Sequence, residues 1–245
     1  EAAAVAAGTS EEELMANAGL AAAQEAWMAV GAMEGRAVLV LVGPGKNGSD
    51  GLIAALQLQE MGAIAGVYLL RPRADDDPLW RQIVEADIPT NGVADDDDEL
   101  SALAGMLGES SCVLDALLGT GALREIEGDL ERVLGRLREA RDAEIAPQLI
   151  ALDVPTGVDA DSGNVDDSTV AADSTVTFGY PKIGLFAMPG RRFAGRVVPV
   201  DIGLPADAAV ELPYDEITFR QVQQALPERP DDAHKGSFGR AVLAA

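Results

Sequence analysis

The sequence contains one cysteine and one histidine among 245 residues, and this scarcity excludes several kinds of chemistry. With Cys112 alone, no disulfide can form within the chain. Because this thiol lies in an apolar run, we predict a buried structural side chain rather than a nucleophile. His234 stands outside the main domain predicted below, so a Ser-His-Asp triad is not expected in that domain. A zinc site of clustered His and Cys is likewise excluded.

Aromatic and basic residues are also few. Aromatics make up 4% of the chain within a hydrophobic share of 48%, so the core must consist of alanine, valine, leucine and isoleucine. The 18 Lys and Arg residues face 41 Asp and Glu, and the formal net charge is −23. This balance argues against a nucleic acid or an anionic membrane as partner. We interpret the acidic runs at residues 75–77 and 95–99 as solvated loop faces rather than metal sites.

Long hydrophobic runs are absent as well. No apolar run approaches the roughly 20 residues that a membrane-spanning helix needs, so no membrane span is predicted. The start of the chain shows no basic segment followed by a cleavage site. With the lone cysteine, these features predict a cytoplasmic protein in a reducing compartment.

The sequence does contain a regular alternation of apolar strands and amphipathic helices. Residues 38–42 are all Val and Leu, which is typical of a strand buried on both faces. A glycine-rich turn then leads into an amphipathic segment at 50–61. The same signals predict strands at 63–70, 111–118, 148–154, 174–178 and 196–200, and helices at 9–33, 78–86, 100–108 and 126–143. This alternation predicts an α/β fold with a mainly parallel sheet covered by helices on both faces.

Acidic, amide or hydroxyl residues lie near or just after the ends of three of the predicted strands. They are Asn47, Asp115, Asp153 and Thr156. Because the carboxyl ends of parallel strands share one edge of a sheet, we expect these side chains to converge. Their oxygen atoms suit a hard cation, or a carboxylate that acts as general acid or base. Singly, each has a structural explanation, such as Asp115 capping a helix.

The glycine turn by itself leaves its ligand open. Residues 43–48 spell G-x-G-x-x-G, a weak sign of dinucleotide binding, and Ser49 stands where a P-loop would need lysine. Arg71 and Arg73 follow the second strand, where an acid would otherwise hold a ribose. They are compatible with a 2′-phosphate or with no ribose contact. An NADP-dependent oxidoreductase is therefore one alternative, although neither a substrate domain nor a sign of hydride transfer is evident.

Five motifs in order resemble those of a known family. They are G-P-G-K-N-G-S-D-G-L at 43–52, L-D-A-L-L-G-T-G at 114–121, A-L-D-V-P-T-G-V-D-A-D-S-G at 151–163, T-F-G-Y-P-K-I-G-L at 177–185 and V-D-I-G-L-P at 200–205. Together they resemble the YjeF N-terminal domain, the NAD(P)H-hydrate epimerase family. L-M-A-N-A-G at 14–19 is similar to the first helix of that domain. H-K-G-S-F-G-R at 234–240 resembles the opening of an NAD(P)H-hydrate dehydratase domain.

The resemblance implies an activity and a fold. The activity is interconversion of the R and S forms of NADHX and NADPHX, which are reduced nicotinamides hydrated at C6. The fold is a Rossmann-like three-layer α/β/α sandwich, as a homodimer or higher homo-oligomer. The implied domains are the epimerase at 1–206, a linker at 207–233 and the start of a truncated dehydratase at 234–245. A full-length protein would then also dehydrate S-NAD(P)HX, with ADP or ATP.

The resemblance also assigns site residues. A potassium ion is implied at Asn47, Asp115 and Thr156. Epimerisation needs an acid that protonates the leaving oxygen and then a base that allows the oxygen to add back. We hypothesise that Asp153 plays both parts. Substrate contacts are implied at Lys46, Asn47, Gly48, Ser49, Asp50, Gly119, Thr120, Gly121, Ala122, Leu123, Arg124, Glu125 and Asp153.

Two positions depart from the family pattern. The family commonly has Asn where this chain has Lys46, and Gly where it has Ser49. Lys46 could meet a phosphate of the substrate. Ser49 would be strained if its position required a positive φ. A non-catalytic binding module on the same fold is therefore a second alternative, although Asn47, Asp115 and Asp153 are all retained.

Overall fold

The computed structural model describes residues 4–5, 8–31, 34–121, 125–205, 214, 217–228, 230–234 and 236–239. The chain divides into two compact units, Glu1–Ala208 and Ala209–Ala245. Among the residues described, no helix combines the length and the apolar character needed to cross a membrane.

The first unit is built on one seven-stranded sheet. In chain order the strands are β1 (Ala37–Val42), β2 (Ile64–Leu69), β3 (Thr90–Gly92), β4 (Cys112–Ala116), β5 (Gln148–Leu152), β6 (Ser174–Phe178) and β7 (Arg196–Val200). Their spatial order is β3-β2-β1-β4-β5-β6-β7, and every neighbouring pair runs parallel. The order reverses between β1 and β4, which is where open α/β sheets form ligand crevices. The predicted fold class is confirmed.

Helices cover both faces of this sheet. They are α1 (Glu11–Val30), α2 (Lys46–Glu60), α3 (Pro78–Glu85), α4 (Ser101–Glu109) and α5 (Asp129–Arg141). Two short 3₁₀ segments, Ile183–Leu185 and Gly190–Arg192, connect β6 to β7. The second unit contains α6 (Phe219–Ala225), where Thr218 and Gln221 form a capping box. The strand predicted near 241–243 lies outside the described residues.

Alternate side chains of β1 enter two separate cores. Val38, Val40 and Val42 belong to a cluster with residues of α1, α2 and α3. Leu39 and Leu41 belong to a second cluster with residues of α4 and α5. A strand buried on both faces must be apolar at every position, which explains its uniform Val and Leu composition. The two clusters are the two interfaces of the three-layer sandwich.

Several element boundaries differ from the predicted ones. α1 begins after Ser10, whose side-chain oxygen accepts a hydrogen bond from Glu13 N at 3.1 Å, and it ends before Gly31, which has φ +80°. α2 begins at Lys46, four residues before the predicted start at 50. α5 begins at Asp129 rather than 126, because Gly128 (φ +63°) precedes it in a non-helical conformation.

The acidic runs are only partly solvated loops. Asp77 caps α3 by accepting hydrogen bonds from the N–H groups of Leu79 and Trp80. Asp96 is half-buried and accepts hydrogen bonds from Tyr68 Oη, Ala102 N and Leu103 N, each at 3.0 Å. Burial alone would raise the pKa of Asp96, but these donors outweigh it and lower the pKa. The expectation of plain solvated faces was wrong for Asp96, since a carboxylate can satisfy several backbone donors at a helix start.

Candidate functional site

A cavity of about 910 Å³ opens at the carboxyl edge of the sheet. Its walls come from the segments after β1, β4, β5 and β6 and from the first turns of α1. Many predicted site residues lie in these walls, and the cavity also has apolar sides, including Leu14, Met15 and Phe178. The predicted residues that line it are Lys46, Asn47, Asp50, Gly119, Thr120, Gly121, Glu125 and Asp153.

Gly43 follows β1 directly and precedes Pro44 and Gly45, which line the cavity. A Cβ at Gly43 would lie 1.8 Å from the carbonyl oxygen of Leu117, so no other residue fits without moving the backbone. Gly48 is also enclosed, because a Cβ there would lie 2.0 Å from the Gly43 oxygen. Arg73 completes the junction by donating to Gly43 O at 3.0 Å. The glycines thus allow β1, α2 and the β4 loop to pack closely.

Arg71 and Arg73 do not form a phosphate site. The Arg73 side chain is 11% exposed and pairs with Asp77 at 3.2 Å in addition to its bond to Gly43. Arg71 pairs with Asp129. Neither residue lines the cavity. These arginines hold structural elements together, so the suggestion of a 2′-phosphate contact is not supported.

Asn47 lies in the first turn of α2, and among the described residues its side-chain amide has a hydrogen-bond partner for the nitrogen but not for the oxygen. Its Nδ2 donates to Leu118 O at 2.8 Å. Its Oδ1 is buried and has no hydrogen-bond partner in the part of the chain that the structure describes. A buried acceptor without a donor is costly unless a ligand or ion meets it.

Asp115 and Thr156 form a buried pair next to Asn47. Asp115 Oδ1 accepts the Thr156 hydroxyl at 2.7 Å, and Oδ2 accepts Thr156 N at 2.9 Å. Burial raises the pKa of Asp115, an effect that these bonds and one from Leu117 N partly offset. Leu118 joins the three residues, because its N–H donates to Thr156 Oγ1 at 3.1 Å while its carbonyl accepts from Asn47. The predicted convergence of these three residues is therefore realised in the structure.

The oxygen atoms of this trio are of the kind that a hard cation takes as ligands. The trio provides a carboxylate, a hydroxyl and the unpartnered amide oxygen of Asn47, all oxygen ligands. Over the described ranges, no three His, Cys, Asp or Glu side chains are grouped so as to hold a metal ion.

Asp153 is held at the end of β5 in an uncommon backbone conformation. Its φ is +65°, in the left-handed region that Asp tolerates better than most residues. Its N–H donates to Val176 O at 2.7 Å, and its Oδ1 accepts from Phe178 N at 3.2 Å. The same oxygen forms an ion pair with Lys182, which was not among the predicted site residues. A signal was available, since Lys182 stands in the motif at 177–185.

The other predicted site residues either do not line the cavity or lie outside the described residues. Gly48, Ser49, Asp115 and Thr156 do not line the cavity, although Asp115 and Thr156 contact the loop that does. Ser49 is half-buried within α2 and has no positive φ, so the anticipated strain is absent. Residues 122–124, which include the predicted contacts Ala122, Leu123 and Arg124, lie outside the described residues.

Sequence comparison connects this geometry to a family. The family model described as YjeF-related protein N-terminus matches residues 11–184 of the chain. The chain belongs to this family. Residues 11–184 contain α1, Asn47, Asp115, Thr156, Asp153 and Lys182, so these site residues all lie within the family domain.

Relatives with recorded functions agree with this assignment. An NAD(P)H-hydrate epimerase of Clavibacter michiganensis is 41% identical over 178 residues, covering 71% of this chain and 76% of that protein. A bifunctional NAD(P)H-hydrate repair enzyme Nnr of Thermofilum pendens is 35% identical over 245 residues, covering 97% of this chain and 44% of that protein. The chain therefore spans less than half the length of this bifunctional relative.

A solved structure supports the fold. A crystal structure of a yeast protein superposes with a TM-score of 0.68 at 22% identity, covering 86% of this chain and 88% of the yeast chain. At this identity the likeness extends to the fold, and the site chemistry must be argued from the residues of this chain.

Proposed function

We propose that the first unit interconverts the R and S forms of NADHX and NADPHX at the cavity beside Asp153. The observation that carries the proposal is the convergence of Asp153 with the Asn47, Asp115 and Thr156 trio at one edge of the sheet. Relatives named NAD(P)H-hydrate epimerase support it. A cavity of about 910 Å³ can also accommodate a large part of a dinucleotide.

The substrate determines what the site must do. C6 of the hydrated ring bears a hydroxyl and a ring nitrogen, so it is a hemiaminal. Its configuration can invert by loss and re-addition of the oxygen, or by ring opening, and both routes need an acid and a base. Asp153 lines the cavity and is fixed by its backbone and by Phe178 N, which makes it the acid–base group of this proposal.

A potassium ion is the cofactor that suits the trio. Asn47, Asp115 and Thr156 would hold it, and the unpartnered Asn47 Oδ1 is the atom that most requires such a ligand. When bound, potassium would supply positive charge beside a buried carboxylate. The residues themselves hold the Leu118 peptide and thereby fix the loop that begins at Gly119, which lines the cavity.

The substrate's phosphates have to be accommodated in a chain of net charge −23. The amino end of α2 lies in the cavity wall, and its backbone N–H groups are suited to an anion. Lys46 stands at the first position of this helix with a side chain 63% exposed, where it also pairs with Glu11 at 3.3 Å. We assign Lys46 to phosphate contact, and we assign Asp50, Glu125 and the loop 119–124 to contacts with other parts of the substrate.

One assay tests the function against both alternatives. Purified 6R-NADPHX is incubated with the protein in potassium buffer and in choline buffer, and the epimers are separated by chiral chromatography against a blank without protein. We expect conversion to the S form, faster with potassium. Tight binding without conversion would support a non-catalytic module, and oxidation or reduction of a second substrate with NADP would support an oxidoreductase.

We also propose features of the whole protein. We propose that residues 207–233 are a linker and that 234–245 begin a dehydratase domain; relatives named bifunctional NAD(P)H-hydrate repair enzymes, which are more than twice as long as the part this chain covers, support this. A full-length protein of this kind would also dehydrate S-NAD(P)HX in the cytoplasm. We further propose a homo-oligomer, to be measured by light scattering of the full chain.

A further inference from the structure

Lys182 is a positively charged side chain that lines the cavity, and the mechanism proposed above gives it no role. We propose that Lys182 is a second catalytic residue, which delivers the proton to the leaving hydroxyl while Asp153 accepts a proton from the incoming water. This inference rests on the proposed epimerase function and divides its acid and base roles between two neighbouring side chains.

The hydrogen bonds of Lys182 leave one N–H for a ligand. An ammonium group has three N–H donors and no acceptor. One donor is directed at Phe178 O, 2.8 Å away, and a second forms the ion pair with Asp153 Oδ1. Since Lys182 and Asp153 both line the cavity, the third N–H can reach a bound substrate. In this pair the ammonium carries protons to donate, and the carboxylate oxygen accepts them.

Close packing fixes the backbone from which Lys182 projects, and the bonds to Phe178 O and Asp153 then hold its ammonium. Lys182 directly precedes the 3₁₀ segment Ile183–Leu185, and Leu185 N donates back to Lys182 O at 3.1 Å. Gly184 anchors that segment through a 2.7 Å hydrogen bond to Ala160 O, and a Cβ at Gly184 would lie 2.0 Å from Asp159 O. Such close backbone packing gives the precise placement that a proton donor requires.

The other basic side chains near the site are placed differently. Among the described residues, the cavity is lined by two lysines, Lys46 and Lys182, and by no arginine. The side chain of Lys46 is 63% exposed, whereas that of Lys182 is 20% exposed and that of its partner Asp153 is 14% exposed. Lys182 is therefore the lysine that is both shielded from water and paired with the acid–base carboxylate.

The proposed step balances in protons and electrons. Lys182 gives a proton to the C6 hydroxyl, the C6–O bond breaks with its electron pair on oxygen, and the ring nitrogen lone pair forms a C=N⁺ bond. Water leaves and a water molecule adds to the opposite face of C6, returning the electron pair to nitrogen. Asp153 takes the proton of the adding water. The hydrogen-bonded pair then passes that proton back to Lys182 and restores the starting state.

Variants at Lys182 separate proton donation from charge alone. Lys182→Arg keeps the positive charge beside Asp153 but has a guanidinium, which does not release its proton. We expect kcat to fall by about 100-fold or more in Lys182→Arg, Lys182→Met and Lys182→Ala, with a smaller change in KM, on the usual size of acid–base contributions. The readout is chiral chromatography of 6R-NADPHX, and circular dichroism melting checks that each variant folds.

Chemical rescue provides the second readout. Added ethylamine or methylamine should restore kcat of Lys182→Ala by at least about tenfold, because a small ammonium can occupy the space of the lost side chain and donate. A series of amines should change the rescued rate with their basicity. The matched control is Lys46→Ala, the other lysine of the cavity, for which we expect a raised KM and no rescue.

The outcomes are distinguishable from those of the proposed function. If the wild-type protein does not epimerise NADPHX, the proposed function fails first. If it does, while folded Lys182→Arg retains more than a tenth of wild-type kcat, Lys182 acts only by charge or position and the inference is overturned. Absence of amine rescue in folded Lys182→Ala would overturn it as well.

Discussion

At the scale of single residues, side chains of one chemical type have different surroundings. Asp153 lines the cavity at the end of β5, and Asp115 is buried against Thr156. Asp96 and Asp77 satisfy backbone donors at helix starts. Only the local geometry separates these roles, since each residue is an acid near the end of a strand or the start of a helix.

The Asp153 assignment predicts a loss of turnover. Asp153→Asn preserves the shape of the side chain but cannot accept a proton, so we expect kcat for 6R-NADPHX to fall at least ~100-fold. Asp161→Asn is the control, because Asp161 is an exposed loop acid outside the cavity wall, and it should keep wild-type rates. An Asp153→Asn rate within tenfold of wild type would refute the acid–base assignment.

Cys112 should be chemically inert in the folded protein. It is fully buried. Burial is the main cause that raises the pKa of its thiol to about 12, and the negative charges of Asp173 and Glu25 add to it. Because the thiolate is the reactive form, iodoacetamide at pH 8 should leave the native protein unmodified and should alkylate one thiol per chain in urea. Mass spectrometry gives the count, and rapid alkylation without urea would contradict this burial.

At the scale of elements, the junction of β1 and α2 organises the site. It places Asn47 and Lys46 in the first helical turn and brings the turn against the β4 loop. Arg73 from the segment after β2 closes the junction at Gly43. The site thus depends on close backbone approach between the ends of β1 and β4, to which the segment after β2 adds the side chain of Arg73.

Two glycines of this junction form a matched pair for testing it. A Cβ at Gly43 would meet Leu117 O at 1.8 Å, whereas a Cβ at Gly45 would meet nothing within 4 Å. We expect Gly43→Ala to lower the free energy of unfolding by about 1–3 kcal/mol, the usual cost of overpacking, and Gly45→Ala to change it by less than about 0.5 kcal/mol. Urea denaturation of both variants measures the difference, and equal stabilities would show that the turn is not closely packed.

At the scale of the whole molecule, the dominant feature is the excess of acidic residues. A net charge of −23 would repel an anionic dinucleotide at long range, while the proposed contacts at the α2 amino end and Lys46 would attract it locally. Salt screens the long-range repulsion more effectively than contacts inside the cavity.

This balance predicts that salt assists the enzyme. At constant potassium concentration, raising the ionic strength from about 10 to about 150 mM with choline chloride should increase kcat/KM about two- to tenfold. The increase should be larger for NADPHX, which carries the additional phosphate, and should appear mainly in KM. A fall of kcat/KM with salt would instead indicate that local cations dominate the approach of the substrate.

Much of the fold could be predicted from the sequence because its signals are local. The uniform Val and Leu run identified β1, and the helix predicted at 9–33 was found at Glu11–Val30. The start of α2 was misplaced, because glycines at 45 and 48 resemble a loop. In the structure the helix begins at Lys46, Gly48 permits close packing against the carbonyl oxygen of Gly43, and Ser49 is an ordinary helical residue.

The sequence by itself determined the α/β fold, the family and the set of acids and amides at strand ends, because periodicity and ordered motifs are written along the chain. Only the tertiary structure decided which side chains meet. It joined Asn47, Asp115 and Thr156 through Leu118, engaged Arg73 at the Gly43 junction, and paired Lys182 with Asp153. The physical reason is that these contacts link residues from about 30 to 70 positions apart, and strand order and backbone packing alone set such distances.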